Sequence, residues 1–288
     1  MPGDSATTPS SGGRWATAWR VLAFWVATMV VLVIASLVTS HVSAAWRMVV
    51  TGAVAGLATL LLTLPFLRWE GLRAAQVGLV PERGSLARFG AGIVLGVGMA
   101  AAHVGLMLAF APVRLVAGEP VDVSFMLLTG FGLLLLAARE EIAFRAYPLR
   151  ALDARYGVAT ALAGTAAMFC VEHILGGSSW DNAVFGSIPG ALVFGMAALA
   201  SRGLALPLGL HTAWNCVDWA TGGKGDDGLW RRVVEPGREQ AGAVLGLASF
   251  GLVMAAAFVL LWWIGRRARR QVAAVASRSA LEVDALPG

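Results

Sequence analysis

The 288 residues are 58% hydrophobic and only 14% charged, with a formal net charge of +5. Those proportions exclude an ordinary soluble domain, because apolar runs of about 20 residues, the length a helix needs to cross a bilayer, recur along the whole chain. The basic residues stand at the ends of those runs and not in one patch, which argues for membrane topology and against a nucleic-acid partner.

Residues 1–13, rich in Ser, Thr, Pro and Gly, have the composition of a disordered tail, and residues 1–17 are expected to form one in the cytoplasm. Membrane spans are expected at about 18–40, 45–67, 90–111, 123–143, 158–175, 183–201, 203–220 and 241–264. Val42-Ser43-Ala44 loosely resembles a signal cleavage site. The apolar core before it is longer than a signal sequence uses, so the first span is expected to be retained. The fold class that follows is all-α, a polytopic membrane protein of eight transmembrane helices. Its membrane domain occupies residues 18–265, followed by a basic cytoplasmic tail over 266–288.

Orientation follows from the basic residues. With the N-terminus in the cytoplasm, sixteen of the 22 Lys and Arg residues fall inside and six outside. Setting aside Arg139 and Arg145, which lie within an apolar run, leaves fourteen inside. The positive-inside rule therefore favours eight spans with both termini cytoplasmic. Trp46, Trp69, Trp180, Trp219, Trp230, Trp262 and Trp263 fall near expected span ends, as interfacial anchors do. Gly52-x-x-x-Gly56, Gly92-x-x-x-Gly96, Gly186-x-x-x-Gly190 and Gly242-x-x-x-Gly246 place small residues one turn apart for close helix packing.

Chemistry concentrates where polar residues interrupt the apolar runs. Phe131-Gly-Leu-Leu-Leu-Leu-Ala-Ala-Arg-Glu-Glu-Ile-Ala-Phe-Arg145 ends in two adjacent carboxylates, and a carboxylate at membrane depth is costly enough to be a functional candidate by default. Glu141 and Arg145, at i and i+4, share a helix face in the favourable order, acid before base. Glu140 lies about 100° round the helix with no such partner, so one acid is held and the other is free for proton chemistry. Downstream, Phe169-Cys-Val-Glu-His173 and His211-Thr-Ala-Trp-Asn215 carry two of the four histidines. Hydrocarbon offers no partner, so Glu140, His173, His211 and Asn215 are expected to converge on one polar cavity. The plainer reading of His211 and Asn215 is interhelical hydrogen bonding, and of Glu141 and Arg145 a salt bridge that fixes the helix. His103, with nothing polar one turn away, reads as structural, and Arg139 as a marker of the cytoplasmic membrane edge. Cys170 and Cys216 sit in apolar segments and suit neither a disulfide framework nor a metal site.

Taken in order, Glu140-Glu141-x-x-x-Arg145, Phe169-x-x-x-His173 and His211-x-x-x-Asn215 resemble the three signatures of the CAAX-protease and bacteriocin-processing (CPBP) family of intramembrane proteases. The run Ser201-Arg-Gly-Leu-Ala-Leu-Pro-Leu-Gly-Leu-His211 is similar to that family's lead-in to its third motif, and the likeness covers roughly 123–220. It implies a conical eight-helix enzyme that hydrolyses peptide bonds of membrane-associated or lipidated substrates near the cytoplasmic membrane face. On this resemblance Glu140 is the general base for a water that His173 helps hold. His211 and Asn215 stabilise the oxyanion, and Glu141, Arg145 and Phe169 shape the site. Ala146 stands where the family commonly has Gly, and Glu172 is an additional acid. The family has been described both with and without metal. A metal-free glutamate mechanism with no cofactor is favoured here, because no His-Glu-x-x-His helix is present and Asn is a poor zinc ligand. The alternative is zinc on Glu140, His173 and His211, a set of two His and one carboxylate.

The expected partners are membrane lipids and a membrane-associated or lipidated peptide or protein, and the Ala-, Arg- and Gly-rich composition points to a bacterial plasma membrane. Two readings from other classes stand beside the peptidase. One is a transporter or proton relay using Glu140, Glu141 and His173, against which no paired broken helices are seen. The other is a catalytically silent member that binds a partner, as in an immunity role.

Overall fold

The structure, a computed structural model, describes residues 13–284. Most of the expected tail at 1–17 and the last four residues lie outside the described residues. The helices are α1 (Arg14–Val38), α2 (Ala44–Glu70), α3 (Ser85–Phe110), α4 (Val123–Glu141), α5 (Tyr147–Tyr156), α6 (Val158–Leu175), α7 (Ile188–Ser201), α8 (Ala205–Ala220) and α9 (Glu239–Asp284). α4 and α5 are continuous through a π-helical turn, Ile142–Ala146, and a second such turn, Asn182–Ser187, leads into α7. The described helix α9 runs well past the expected span end at 264.

Among the described residues, seven helical segments are long and apolar enough to cross a membrane, and this is an integral membrane protein. The eighth expected span, α8, has only 16 residues. At 1.5 Å per residue it is about 24 Å long, short of the roughly 30 Å hydrocarbon core. It is nevertheless among the more buried elements, with Leu210 fully covered and His211 and Ala213 nearly so. Burial against protein relaxes the length a helix exposed to lipid would need.

Small residues set its closest contact. A Cβ on Gly92 would meet the Leu206 carbonyl, one on Gly96 would lie 2.5 Å from the Leu210 carbonyl, and one on Gly209 would meet the Phe89 carbonyl. α3 and α8 thus approach backbone to backbone, as small-x-x-x-small pairs allow. Gly52 does the same for α2 against Leu135 of α4. Gly186 and Gly190 differ from expectation. A Cβ on either would meet only Asn182 or Phe194, one turn away along the same segment, because both glycines border a cavity and not a neighbouring helix.

A two-stranded antiparallel ribbon joins β1 (Val113–Ala117) to β2 (Trp230–Val234), with Val113 opposite Val234 and Ala117 opposite Trp230. The all-α expectation missed it, since each strand has only five residues and its partner lies across more than a hundred positions of sequence. The ribbon gathers the end of α3, the start of α4, the end of α8 and the start of α9 at one end of the bundle. At the other end, Thr17 and Arg20 of α1 bind Glu70 of α2 at 2.6 and 3.0 Å. There the rings of Phe24, Phe66 and Tyr147 meet edge to face or tilted, with centroids 5.2–5.7 Å apart. Trp46, Trp69, Trp180, Trp230, Trp262 and Trp263 are exposed. Trp219 is buried against Phe125, so it is a core residue and not an interfacial anchor.

Candidate active site

α4 delivers both carboxylates in its last turn, and the π turn that follows carries Arg145 back toward them. Glu141 is 1% exposed and lies 3.5 Å from the Arg145 guanidinium, so the i,i+4 pair read from the sequence forms. Arg145 is itself enclosed by aromatic faces. Its guanidinium carbon sits 4.8 Å from the Phe169 ring centroid, 5.5 Å from Phe144 and 5.6 Å from Phe194. Such cation–π contacts help a buried cation where water is excluded.

His211 of α8 lies between the two acids. Its Nδ1 is 2.9 Å from Glu141 Oε1 and its Nε2 is 3.5 Å from Glu140 Oε2. Phe194 of α7 stacks on the imidazole with centroids 4.2 Å apart and planes 16° off parallel, fixing the ring's plane. Glu140 is the more open acid, its side chain 21% exposed against 1% for Glu141.

His173 of α6 is held from its own helix. Nδ1 lies 3.0 Å from the Phe169 carbonyl. A carbonyl can only accept, so Nδ1 carries the proton, and in the neutral ring Nε2 is left as an acceptor. Phe169, His173, His211 and Asn215 all line one cavity of about 800 Å³. Glu140 is not among its lining residues and adjoins it through His211. His173, His211 and Asn215 are therefore brought to one cavity, whereas Glu140 does not reach it and lies against His211.

The cavity opens between the α6–α7 connection, with Ser178, Ser179 and Asn182, and the hairpin region, with Lys224 and Arg232. This is the ribbon end of the bundle, whereas the start of α1 and the end of α9 lie at the opposite end. The resemblance implies cleavage near the cytoplasmic face, the side on which both termini are expected. The chain path separates the cavity mouth from the termini, because α6, α8 and the α9 start all present their cavity-lining residues toward the ribbon.

Sequence reasoning missed two buried pairs. Arg139 is 1% exposed and is not a marker of the membrane edge. It forms an ion pair with Glu172 of α6 and donates to the Thr28 carbonyl of α1 at 3.1 Å. This gives Glu172 a partner and a structural place beside the catalytic candidates. His103 is hydrogen-bonded to Ser249 of α9 at 2.9 Å and faces Trp214 with centroids 5.9 Å apart, on the wall of the large cavity. Neither pair has a local signal, since the partners are 33 and 146 residues apart in sequence. Cys170 is buried, Cys216 is half-buried and both are free thiols.

Whether these side chains suit a metal can be tested on their arrangement. A catalytic zinc ordinarily takes three protein ligands. Both nitrogens of His211 face carboxylates and Nδ1 of His173 faces a carbonyl. Among the described residues no three His, Cys, Asp or Glu side chains gather as a metal site requires. Glu140, His173 and His211 as arranged do not fit the zinc set.

The comparison with known families adds a separate line of support. Residues 120–217 match the family model described as type II CAAX prenyl endopeptidase, Rce1-like. That segment is CPBP-like. It runs from just before α4 nearly to the end of α8, the stretch that carries all three motifs and the Glu141–Arg145 and Arg139–Glu172 ion pairs. The resemblance drawn from the motifs and this match agree on a membrane-embedded protease. No curated protein matches the chain significantly.

Proposed function

We propose that the chain is an intramembrane endopeptidase that uses Glu140 to activate water, acting on a membrane-associated or lipidated peptide. The observation that carries this reading is His211, which lines one cavity with His173 and Asn215 and, behind that wall, contacts both carboxylates of the first motif. Glu172 is paired with Arg139 and Glu141 with Arg145, while Glu140 faces His211. His211 stands between the two acids, with one ring nitrogen facing a carboxylate oxygen on each side.

In the reaction His173 Nε2 accepts a hydrogen bond from the water. Glu140 takes the water's other proton as its oxygen attacks the scissile carbonyl. The oxyanion is met by His211 Nε2–H and the Asn215 amide, each donor worth about 3–4 kcal/mol. Collapse expels the amine, which takes its proton from Glu140. Glu141 acts through His211, holding Nδ1 and so the ring's aim.

The proposed topology has both termini in the cytoplasm of a bacterial cell and eight crossings, with α8 counted. The β1–β2 ribbon supports that count. Its strands must lie on one side of the bilayer, and α4–α5, α6, α7 and α8 run between them. Four crossings return the chain to the same side, while three would not.

One observation favours a second reading, a proton relay. A smaller cavity of about 250 Å³ reaches Glu141 from the opposite end, so the Glu141–His211 pair stands between two cavities. The deciding experiment offers purified protein a panel of membrane-anchored and lipidated peptides. Wild type is compared with Glu140→Ala, His173→Ala, His211→Ala and, as a remote surface control, Arg47→Ala. The peptidase reading expects losses of about 100-fold or more for the first three and none for the control, with cleavage retained in EDTA or phenanthroline. Proton flux in liposomes without any cleavage would replace it with the relay.

A further inference from the structure

The two ends of the bundle differ in charge as well as in architecture. At the end opposite the ribbon stand Arg68 in the last turn of α2, Arg73 and Arg83 of the α2–α3 connection, Arg88 in the first turn of α3, Arg150 and Arg155 of α5, Arg202 after α7, and Arg266 and Arg267 of α9. Cations at both ends pair with acids, Arg20 with Glu70 and Arg88 with Glu82 at this end, Arg232 with Asp218 and Arg238 with Glu235 at the ribbon, but the end opposite the ribbon carries many more arginines. By the positive-inside rule the arginine-rich end is cytoplasmic. The cavity that holds His173, His211 and Asn215 opens at the other end. The smaller cavity at the basic end reaches Glu141 but is lined by none of those three. Trp180 and Phe185, 71% and 51% exposed, stand beside the large mouth, where they suit an interfacial level.

We infer that this site is loaded from the non-cytoplasmic face, and that its substrate is an extracytoplasmic segment of a membrane-anchored protein. This rests on the peptidase reading above for the cleavage, though not for the sidedness. It turns away from a lipidated tail on the inner leaflet, which would approach the basic end and meet only the smaller cavity. A segment that emerges from a single span on the outer face arrives at the Ser179–Asn182 rim of the cavity that His173, His211 and Asn215 line.

Two measurements separate the inference from the reading it rests on. In a Cys170→Ala, Cys216→Ala background, Ser179→Cys at the mouth and Ala75→Cys at the basic end are exposed to a membrane-impermeant maleimide on intact spheroplasts. The expected result is labelling of Ser179→Cys at least tenfold above Ala75→Cys, with the order reversed in inside-out vesicles. Labelling of Ala75→Cys alone on intact spheroplasts overturns the inference whatever the enzyme cleaves. If the cysteine-free protein fails to accumulate, alkaline phosphatase fused after Asp227 and after Pro81 reads the same sidedness, active only in the first. The second measurement displays one peptide on either face of a single-span anchor. Cleavage confined to the outer display supports the inference, and cleavage confined to the inner display overturns it. If neither is cut, the peptidase reading fails while the labelling still decides which face the cavity meets.

Discussion

Glu172→Leu removes the partner of Arg139 and leaves a guanidinium that is 1% exposed with only the Thr28 carbonyl for company. Removing one member of a buried ion pair costs about 3–5 kcal/mol, mostly through the uncompensated charge left behind. At about 2–4 °C of Tm per kcal/mol for a chain of this size, the melting point should fall by about 6–20 °C. Arg139→Met should do comparable damage by stranding the carboxylate. The double variant Arg139→Met, Glu172→Leu removes both charges and forfeits mainly the hydrogen bond to Thr28, a cost of about 1–3 kcal/mol. It should therefore be more stable than either single variant. The assay is thermal denaturation in detergent followed by the loss of a monodisperse chromatographic peak, with each variant measured at the same detergent and lipid content. Singles that melt within about 2 °C of wild type, or a double whose loss equals the sum of the singles, would refute the claim that this pair is coupled and buried.

The two adjacent acids should separate by assay. Glu140→Gln is expected to reduce kcat by about 100-fold or more with little change in Tm, whereas Glu141→Gln should lower activity and Tm together, because Arg145 and His211 both lose a charged partner. Gly96→Val puts a side chain onto the Leu210 carbonyl and the Ala213 methyl, so overpacking of about 1–3 kcal/mol or more should appear as a lower Tm. A double-mutant cycle on His103→Ala and Ser249→Ala should give a coupling of about 0.5–1.5 kcal/mol. Additive losses in that cycle would separate the two side chains.

Legibility from sequence divided along a physical line. The helices and the three motifs were readable because apolar length and i,i+4 spacing are local properties, and the Glu141–Arg145 pair is local too. Gly92 and Gly96 were readable as contact residues, but their partner α8 was not, because small-residue spacing says that a backbone comes close and not whose. Arg139 was misread, Glu172 was left open, and His103 was read as structural without its partner, all for one reason. In a window of sequence each is a polar residue in an apolar run, and only the fold supplies the acid, guanidinium or hydroxyl that satisfies it. The ribbon was invisible at five residues per strand. It nevertheless carries the argument for counting α8 as a crossing, which hydropathy and length leave short.

The stretch from Ile142 to Ala146 winds one residue wider than the helix on either side. Such a surplus turns everything after it by about 100° relative to what came before. That offset lets a single rod show its acids to α8 and, just beyond, set Tyr147 between the rings of Phe24 and Phe66. The number of letters here matters as much as their identity. Excising one alanine from this stretch would leave a rod just as greasy and nearly as long, able to insert as before, yet with its two halves dialled to the wrong neighbours. Such a shortened chain should reach the bilayer in normal amounts and have no catalytic turnover.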